Sequence, residues 1–415
     1  MIADGILPSN EGRGYVLRRI LRRASRHGRL LDIKEPFLHE LTGVVVDQMK
    51  AVYGELSQAA HVVREAVEGE EERFIGTLDQ GLPILNSMVE EAKAELRSSL
   101  DGQSVFKLYD TYGFPLDLIE EAAREQGLVT DLEGFERALD AQRDRARKST
   151  SFAMEEVKPV ITELAEEIGP TEFLGYQALE SDSMIQAILK NDQLADEAVE
   201  GEEVELVLNV TPFYPEGGGQ VGDQGTLVGA DGRIQVFDAN RVGGTLFLHK
   251  GKVVAGRVRK GEHVAATVNG VTRHDAACNH TATHLVHAAL REILGPHVKQ
   301  YGSLVAPNRL RFDFSHFKPL GIRDVEEIES LVNQQVRENT IVQTNEMGIQ
   351  EAMNVGALAF FGDKYGENVR VVGIGQFSKE LCGGTHCQAT GEIGMFRIIS
   401  EGGVAAGGRR IEALT

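Results

Sequence analysis

Tyr15-Val-Leu-Arg-Arg-Ile-Leu-Arg-Arg-Ala-Ser-Arg-His27 decides how the first third of the chain is read. Val16, Leu17, Ile20, Leu21 and Ala24 recur at the spacing of one helix face, while Arg18, Arg19, Arg22, Arg23 and Arg26 fill the other. The pattern predicts an amphipathic helix with its apolar stripe turned inward and its arginines solvated. Asn10, just upstream, is placed to cap it. Helical spacing continues through 36–53, 58–80, 83–98, 116–126 and 133–148. Pro83, after Gly81, is expected to break or kink the chain between two of these segments. Almost nothing before residue 150 alternates in strand fashion, so 1–160 reads as an all-α domain.

The composition then shifts. Residues 151–205 hold fifteen acidic side chains against Lys158 and Lys190, with Pro159, Gly169 and Pro170 as punctuation, which marks a domain boundary. Short β-rich segments follow at 204–210, 225–229, 233–238, 244–249 and 263–269, separated by Gly and Asp. They suggest a small barrel or sandwich, so 161–270 is read as a linker and small β-barrel. From 271 to 415 a helix at 273–294 and another at 323–338 mix with strands at 303–306, 309–314, 341–346, 369–374, 394–399 and 409–413. That mixture is α+β rather than βαβ alternation. The expected fold class is therefore multidomain α and β.

Charge bounds the function. The 415 residues carry 43 Lys and Arg against 63 Asp and Glu, a net −20. Within 1–30, seven arginines face only Asp4 and Glu11, a local +5 that leaves −25 elsewhere. The overall balance argues against a general nucleic-acid coat or a membrane-surface protein. The arginine cluster could still neutralise a phosphate backbone. No apolar run approaches the roughly 18 residues of a membrane span, and no signal peptide stands at the N-terminus. Cys278, Cys382 and Cys387 are too few for a disulfide framework, which suits a reducing, cytoplasmic setting.

The sharpest chemical signal is His280-Thr-Ala-Thr-His284 on the 273–294 helix. Positions i and i+4 share a face, so both imidazoles can converge on one ion. Thr281 stands where a zinc protease carries its glutamate base, so that reaction is excluded. The second element is Leu381-Cys-Gly-Gly-Thr-His-Cys387, whose glycines allow a tight loop with Cys382 and His386 turned inward. Together, His280, His284, Cys382 and His386 form a tetrahedral zinc set. Cys278 and Cys387 should point elsewhere, and His287 is assigned to helix packing. His27, His39, His61 and His249 read as ordinary histidines. Thr211-Pro-Phe-Tyr-Pro-Glu-Gly-Gly-Gly-Gln-Val-Gly-Asp223 is a glycine-rich loop between strands. Its bare amides could approach a phosphate or ribose, but it lacks the lysine of a P-loop, and a β-turn connection fits its spacing better.

These stretches carry a resemblance. Leu7 to Ala24, Leu108-Tyr-Asp-Thr-Tyr-Gly-Phe-Pro115, the 211–223 loop, His280 to His287, Leu310 to His316, Leu381 to His386 and Thr390 to Gly394 resemble the alanyl-tRNA synthetase family over essentially the whole chain. The resemblance implies a helical domain recognising the acceptor stem of tRNA(Ala), followed by a zinc-dependent domain that hydrolyses misacylated Ser- or Gly-tRNA(Ala). Asn10 and Asp110 match the family residues that read the G3:U70 pair, a task suited to an amide and a carboxylate in a shallow minor groove. Arg13, Arg18, Arg19 and Arg22 are the expected companions on the RNA side. His280, His284, Cys382 and His386 match the family's zinc ligands, and Thr283 and Gln300 match positions lining its editing pocket. Gly218 and Gly219 carry the loop commonly written Glu-Ser-Gly-Gly-Gln, with Gly218 taken for the serine position.

The resemblance also implies an aminoacylation core, with its ATP and Mg²⁺, and an oligomerisation region, both outside the stretch that matches. No alanine activation is expected from this chain. No DNA or membrane partner is expected either. The rival expectation is a non-catalytic tRNA-binding module with a structural zinc.

Overall fold

The computed structural model describes residues 1–10, 12–149, 159–359, 366–405 and 407–415. The chain divides into two compact units, 1–154 with 405–407, and 155–404 with 408–415.

The first unit is built from α1 (Gly12–Leu30), α2 (Leu38–Met49), α3 (Glu55–Ala94), α4 (Gly102–Tyr112), α5 (Leu116–Glu125) and α6 (Leu132–Ser149). Its described strands are the two-residue pieces Ser99–Leu100 and Val129–Thr130, paired in parallel. The core gathers Phe74, Leu78, Leu85 and Val89 of α3 with Val105, Leu108, Phe114, Leu118, Ile119 and Phe135. The break expected at Pro83 does not occur, since α3 runs unbroken for 40 residues with the proline inside it. Pro83 lies on the exposed side, so the hydrogen bond it forfeits falls toward solvent. Phe74, Leu78, Leu85 and Val89 keep one buried stripe on both sides of it.

The orientation of α1 is the larger correction. Arg18, Arg22 and Arg26 are turned inward and much of its apolar stripe outward, while Arg19 and Arg23 stay more than half exposed as the pattern predicts. Val16 is 51% exposed and Ile20 58%, whereas Arg22 is 8% and Arg26 4%. Acids on two neighbouring helices explain this. Glu70 of α3, fully buried, accepts from Arg18 Nε at 2.9 Å and Arg22 Nε at 2.7 Å. Asp117, Glu121 and Glu125 stand four residues apart along α5. Asp117 pairs with Arg19, Glu121 with Arg23 and Arg26, and Glu125 with Arg26. Helical periodicity shows that two faces differ. Only partners distant in sequence decide which faces in.

The second unit opens with α7 (Pro159–Ile168) and a six-stranded antiparallel barrel. Its strands are β1 (Glu180–Lys190), β2 (Glu203–Leu208), β3 (Gly225–Val228), β4 (Gly232–Val242), β5 (Leu246–Arg259) and β6 (His263–Val268). They run in the order β4-β3-β6-β1-β2-β5, and pairing of β5 back to β4 closes the ring. Ile185, Leu206, Leu208, Leu227, Ile234, Val236 and Val253 fill it. β1 lies inside the acidic stretch that reads as linker, because its acids sit at one end while Ile185, Ala187, Ile188 and Leu189 are buried.

The remainder is α+β. It contains α8 (Gly270–Leu294), β7 (Gln300–Ala306), β8 (Arg309–Ser315), α9 (Ile322–Glu338), β9 (Val342–Gly348), α10 (Ile349–Asn354), β10 (Asn368–Ile374), β11 (Ser378–Leu381), β12 (Arg397–Ala405) and β13 (Gly408–Leu414). One sheet has the order β7-β8-β13-β12 and the other β9-β10-β11. Asn269 caps α8 by accepting from the amides of Val271 and Thr272. α8 then passes between its neighbours almost fully buried, with Leu285, Val286, Ala289 and Leu290 against Phe312, Phe314, Ile328 and Val332. Burial on nearly every side is what brings the histidines of this helix under both the barrel loops and β11.

Candidate functional site

Ligand-capable atoms of His280, His284, Cys382 and His386 lie within 4.8 Å of one another. α8 supplies the two histidines one turn apart, with rings stacked at 5.5 Å and 3° between planes. The loop leaving β11 supplies Cys382 and His386. Its glycine is obligatory, because a Cβ on Gly384 would come within 1.9 Å of the His280 ring.

Each imidazole is held from behind through Nδ1. His280 Nδ1 meets Gln220 Oε1 at 2.7 Å. His284 Nδ1 contacts Glu380 Oε2. His386 Nδ1 lies 3.3 Å from Thr281 Oγ1. The same carboxylate, 2% exposed, takes His287 Nδ1 at 2.6 Å, so His287 belongs to the support and not to the ligand set. The Nε2 atoms of His284 and His386 are buried without a protein partner, and His280 Nε2 lies 3.3 Å from Cys382 Sγ.

Burial opposes the Cys382 thiolate, but the imidazoles of His280, His386 and His284 outweigh it and hold the thiol well below its usual range. Burial likewise opposes charge on both members of the Glu380–His284 pair, yet their mutual attraction pulls the Glu380 carboxyl down to about 2 and raises the His284 imidazole. Ligation through His284 Nε2 requires that nitrogen's proton to leave, while Glu380 keeps its hold on Nδ1. A thiolate with three imidazoles, backed by a carboxylate, an amide and a hydroxyl, is a donor set that fits Zn²⁺. Cys278 and Cys387 instead pack together in the core.

His280, His284 and Cys382 of the quartet line a cleft of about 300 Å³. Thr283, Gln300 and Gly218 line it, whereas Gly219 lies behind, where a Cβ would strike the Ser303 hydroxyl at 2.2 Å. Thr283 Oγ1 donates to Asn279 O at 2.8 Å, so toward the cleft it is left as an acceptor. Gln300 Nε2 donates to Ser303 Oγ at 3.3 Å. Counting from Glu216 puts Gly217, not Gly218, in the loop's serine position. Tyr176, Tyr214 and Arg241 add aromatic and cationic walls. Gln220, Glu380, Ser303 and this wall escape sequence reasoning. The one available signal was an acid two residues before Cys382.

A second cleft, of about 570 Å³, lies in the first unit. Asn10, Arg18, Arg19, Arg22 and Asp110 all line it, although Asn10 and Asp110 are a hundred residues apart. Arg18 Nη1 donates to Asn10 Oδ1, and Gln142 Nε2 donates to Asp110 Oδ1 at 3.0 Å. Asp110 sits in the last turn of α4, which ends at Gly113 with φ +67°. Arg13 is exposed in the first turn of α1, outside the cleft lining.

Comparison with known families places the chain. Residues 1–271 match the family of class II (A) tRNA synthetases. The chain belongs to that family. Residues 369–412, which include Glu380, Cys382 and His386, match the second additional domain of threonyl and alanyl tRNA synthetases. Among curated relatives, the alanine–tRNA ligase of Stenotrophomonas maltophilia (strain K279a) is 49% identical over 416 residues, covering all of this chain and 47% of the relative. The enzymes of Desulforamulus reducens and Methylococcus capsulatus are each 48% identical, again over 47% of their length. The chain thus spans about half the length of the curated relatives it matches. Among the described residues, no helix is long and apolar enough to cross a membrane.

Proposed function

We propose that this chain recognises the acceptor stem of tRNA(Ala) and hydrolyses the ester of Ser- or Gly-tRNA(Ala) at the 280–386 centre. The observation that carries the reading is the convergence of four ligand atoms within 4.8 Å, three of them on residues that line a cleft bearing Thr283 and Gln300. In this reading 1–160 is the tRNA-recognition domain, 161–270 the linker and barrel, and 271–415 the editing domain, working in the cytoplasm. Asn10 and Asp110 read the wobble pair from the 570 Å³ cleft. Arg18, through its contact with Asn10, and Arg19 and Arg22 shape that cleft, and Arg13 is available to a phosphate.

His280, His284, Cys382 and His386 would hold Zn²⁺. The bound ion would supply Lewis acidity toward an ester carbonyl or a water. The chain's own side chains select the seryl ester over the alanyl one. Thr283, its proton committed to Asn279 O, accepts a hydrogen bond from a seryl hydroxyl. An alanyl methyl leaves that oxygen unpaired in a confined site, which is the kind of difference that discriminates strongly. Gln300 and Ser303 orient the substrate beside it. The Glu380 carboxylate and Gln220 keep the imidazoles from rotating.

Four protein ligands are also the usual set of a structural zinc, which favours one other reading, a tRNA-binding module without turnover. Release of serine from seryl-tRNA(Ala), with Cys382→Ala as control, separates the two. Release that the variant loses supports editing. No release with tRNA still bound supports the module.

A further inference from the structure

The glycine-rich loop lines the cleft with residues 215–218. Beyond them its backbone is anchored to the sheet. Val305 N donates to Gly219 O at 2.7 Å and Val221 N to Val305 O at 3.0 Å, so the loop is stitched onto β7. Arg273 of α8 grips both ends of the loop, through Asp223, with Nε 2.9 Å from the carboxylate, and through Pro212 O. Between these anchors Gln220 is driven inward until it is fully buried.

There its amide meets three groups. Thr385 N donates to Oε1 at 2.9 Å, and Nε2 donates to Thr385 Oγ1 at 2.8 Å. A backbone N–H can only donate, so the atom facing it must be the oxygen, and the amide has one orientation. The same oxygen lies 2.7 Å from His280 Nδ1. That nitrogen must then carry a proton, which makes Nε2, facing Cys382, His284 and His386, the nitrogen available to ligate an ion.

We propose that Gln220 is the positioning residue of the metal centre. It fixes the His280 tautomer and pins the 382–386 loop at ligand distance, and the glycine-rich loop serves to deliver it. The inference rests on the metal-centre reading above, and it makes the barrel loop a working part of a site whose ligands all lie beyond residue 279.

The test compares wild type, Gln220→Leu and Gln220→Glu. Three readouts are used: zinc affinity by chelator competition, the visible spectrum of bound Co²⁺, and ¹⁵N shifts of selectively labelled histidine in metal-free protein. Loss of such outer support costs about 10–100-fold in metal affinity, and that loss is expected for Gln220→Leu, with an altered cobalt spectrum and a mixed His280 tautomer. Gln220→Glu keeps an acceptor for both His280 and Thr385 N, and should restore affinity and spectrum. Unchanged affinity and tautomer in Gln220→Leu overturn the proposal. Should Gln220→Leu fail to fold, the metal-free wild type still decides, because a His280 without a proton on Nδ1 contradicts it. A wild type that binds no zinc overturns the metal-centre reading, and with it the metal-positioning claim, while leaving the tautomer measurement to judge Gln220 alone.

Discussion

Replacing Glu70 tests the inward turn of α1 directly. The carboxylate has no exposed surface, and it receives Arg18 Nε at 2.9 Å, Arg22 Nε at 2.7 Å and Arg73 Nη2 at 3.2 Å. The side chains of Arg18 and Arg22 are only 18% and 9% exposed. Burial pushes the Arg22 guanidinium below its usual range, and Glu70 is the first group that offsets this. Glu70→Leu therefore leaves two sequestered cations without their shared counter-ion. Removing one partner of a buried pair costs about 3–5 kcal/mol. Glu70→Gln keeps one acceptor oxygen and should cost roughly half as much. The double change Arg22→Met with Glu70→Leu should recover much of the loss, because an apolar pair needs no counter-ion. Urea unfolding followed by circular dichroism reads this, and at a slope of about 2 kcal/mol per molar a 4 kcal/mol loss moves the midpoint by about 2 M. A shift equivalent to less than about 1 kcal/mol would show that the arginines do not depend on Glu70, and the packing argument for α1 would fall.

Three other outcomes follow from the geometry. Thr283→Val removes the acceptor while keeping the shape. It should lower seryl-ester cleavage relative to alanyl-ester cleavage by the 1–3 kcal/mol of an unmet hydrogen bond, about 5- to 150-fold; an unchanged ratio in parallel deacylation assays refutes the role given to Thr283. His249 is fully buried in the barrel between Thr211 Oγ1 and Leu206 O, and burial lowers it from 6.5 to about 4. Its contribution is therefore complete above pH 6.5 and lost as pH falls toward 4, a total of roughly 3 kcal/mol; His249→Gln should flatten that part of the stability–pH profile. Arg13→Ala should reduce the slope of log affinity for tRNA against log salt by about 0.7–0.9, the share of one phosphate contact, whereas Arg22→Met should leave the slope unchanged and lower stability instead.

The sequence was most informative where the controlling interactions are local. HxxxH puts two imidazoles on one helix face, and paired glycines between a cysteine and a histidine force a tight turn, so the quartet that the structure brings together could be read from two short segments. The same locality made the helices of the first unit and most barrel strands legible. It failed where a distant partner decides. Arg22 looked solvated because Glu70 lies 48 residues away. Pro83 looked like a break because the core that keeps α3 continuous across it comes from α4, α5 and α6. β1 was hidden because acidic composition at 151–205 masked four buried aliphatics. Gln220 was invisible as a site residue because its partners, His280 and Thr385, lie 60 and 165 residues on.

The most direct measurement of the central claim is to strip the purified chain of metal, restore zinc in steps, and follow both bound zinc and serine released from seryl-tRNA(Ala). The account predicts that release rises in proportion to zinc and levels off at one ion per chain. Stoichiometric zinc with no release, or release that persists in the stripped protein, would contradict it.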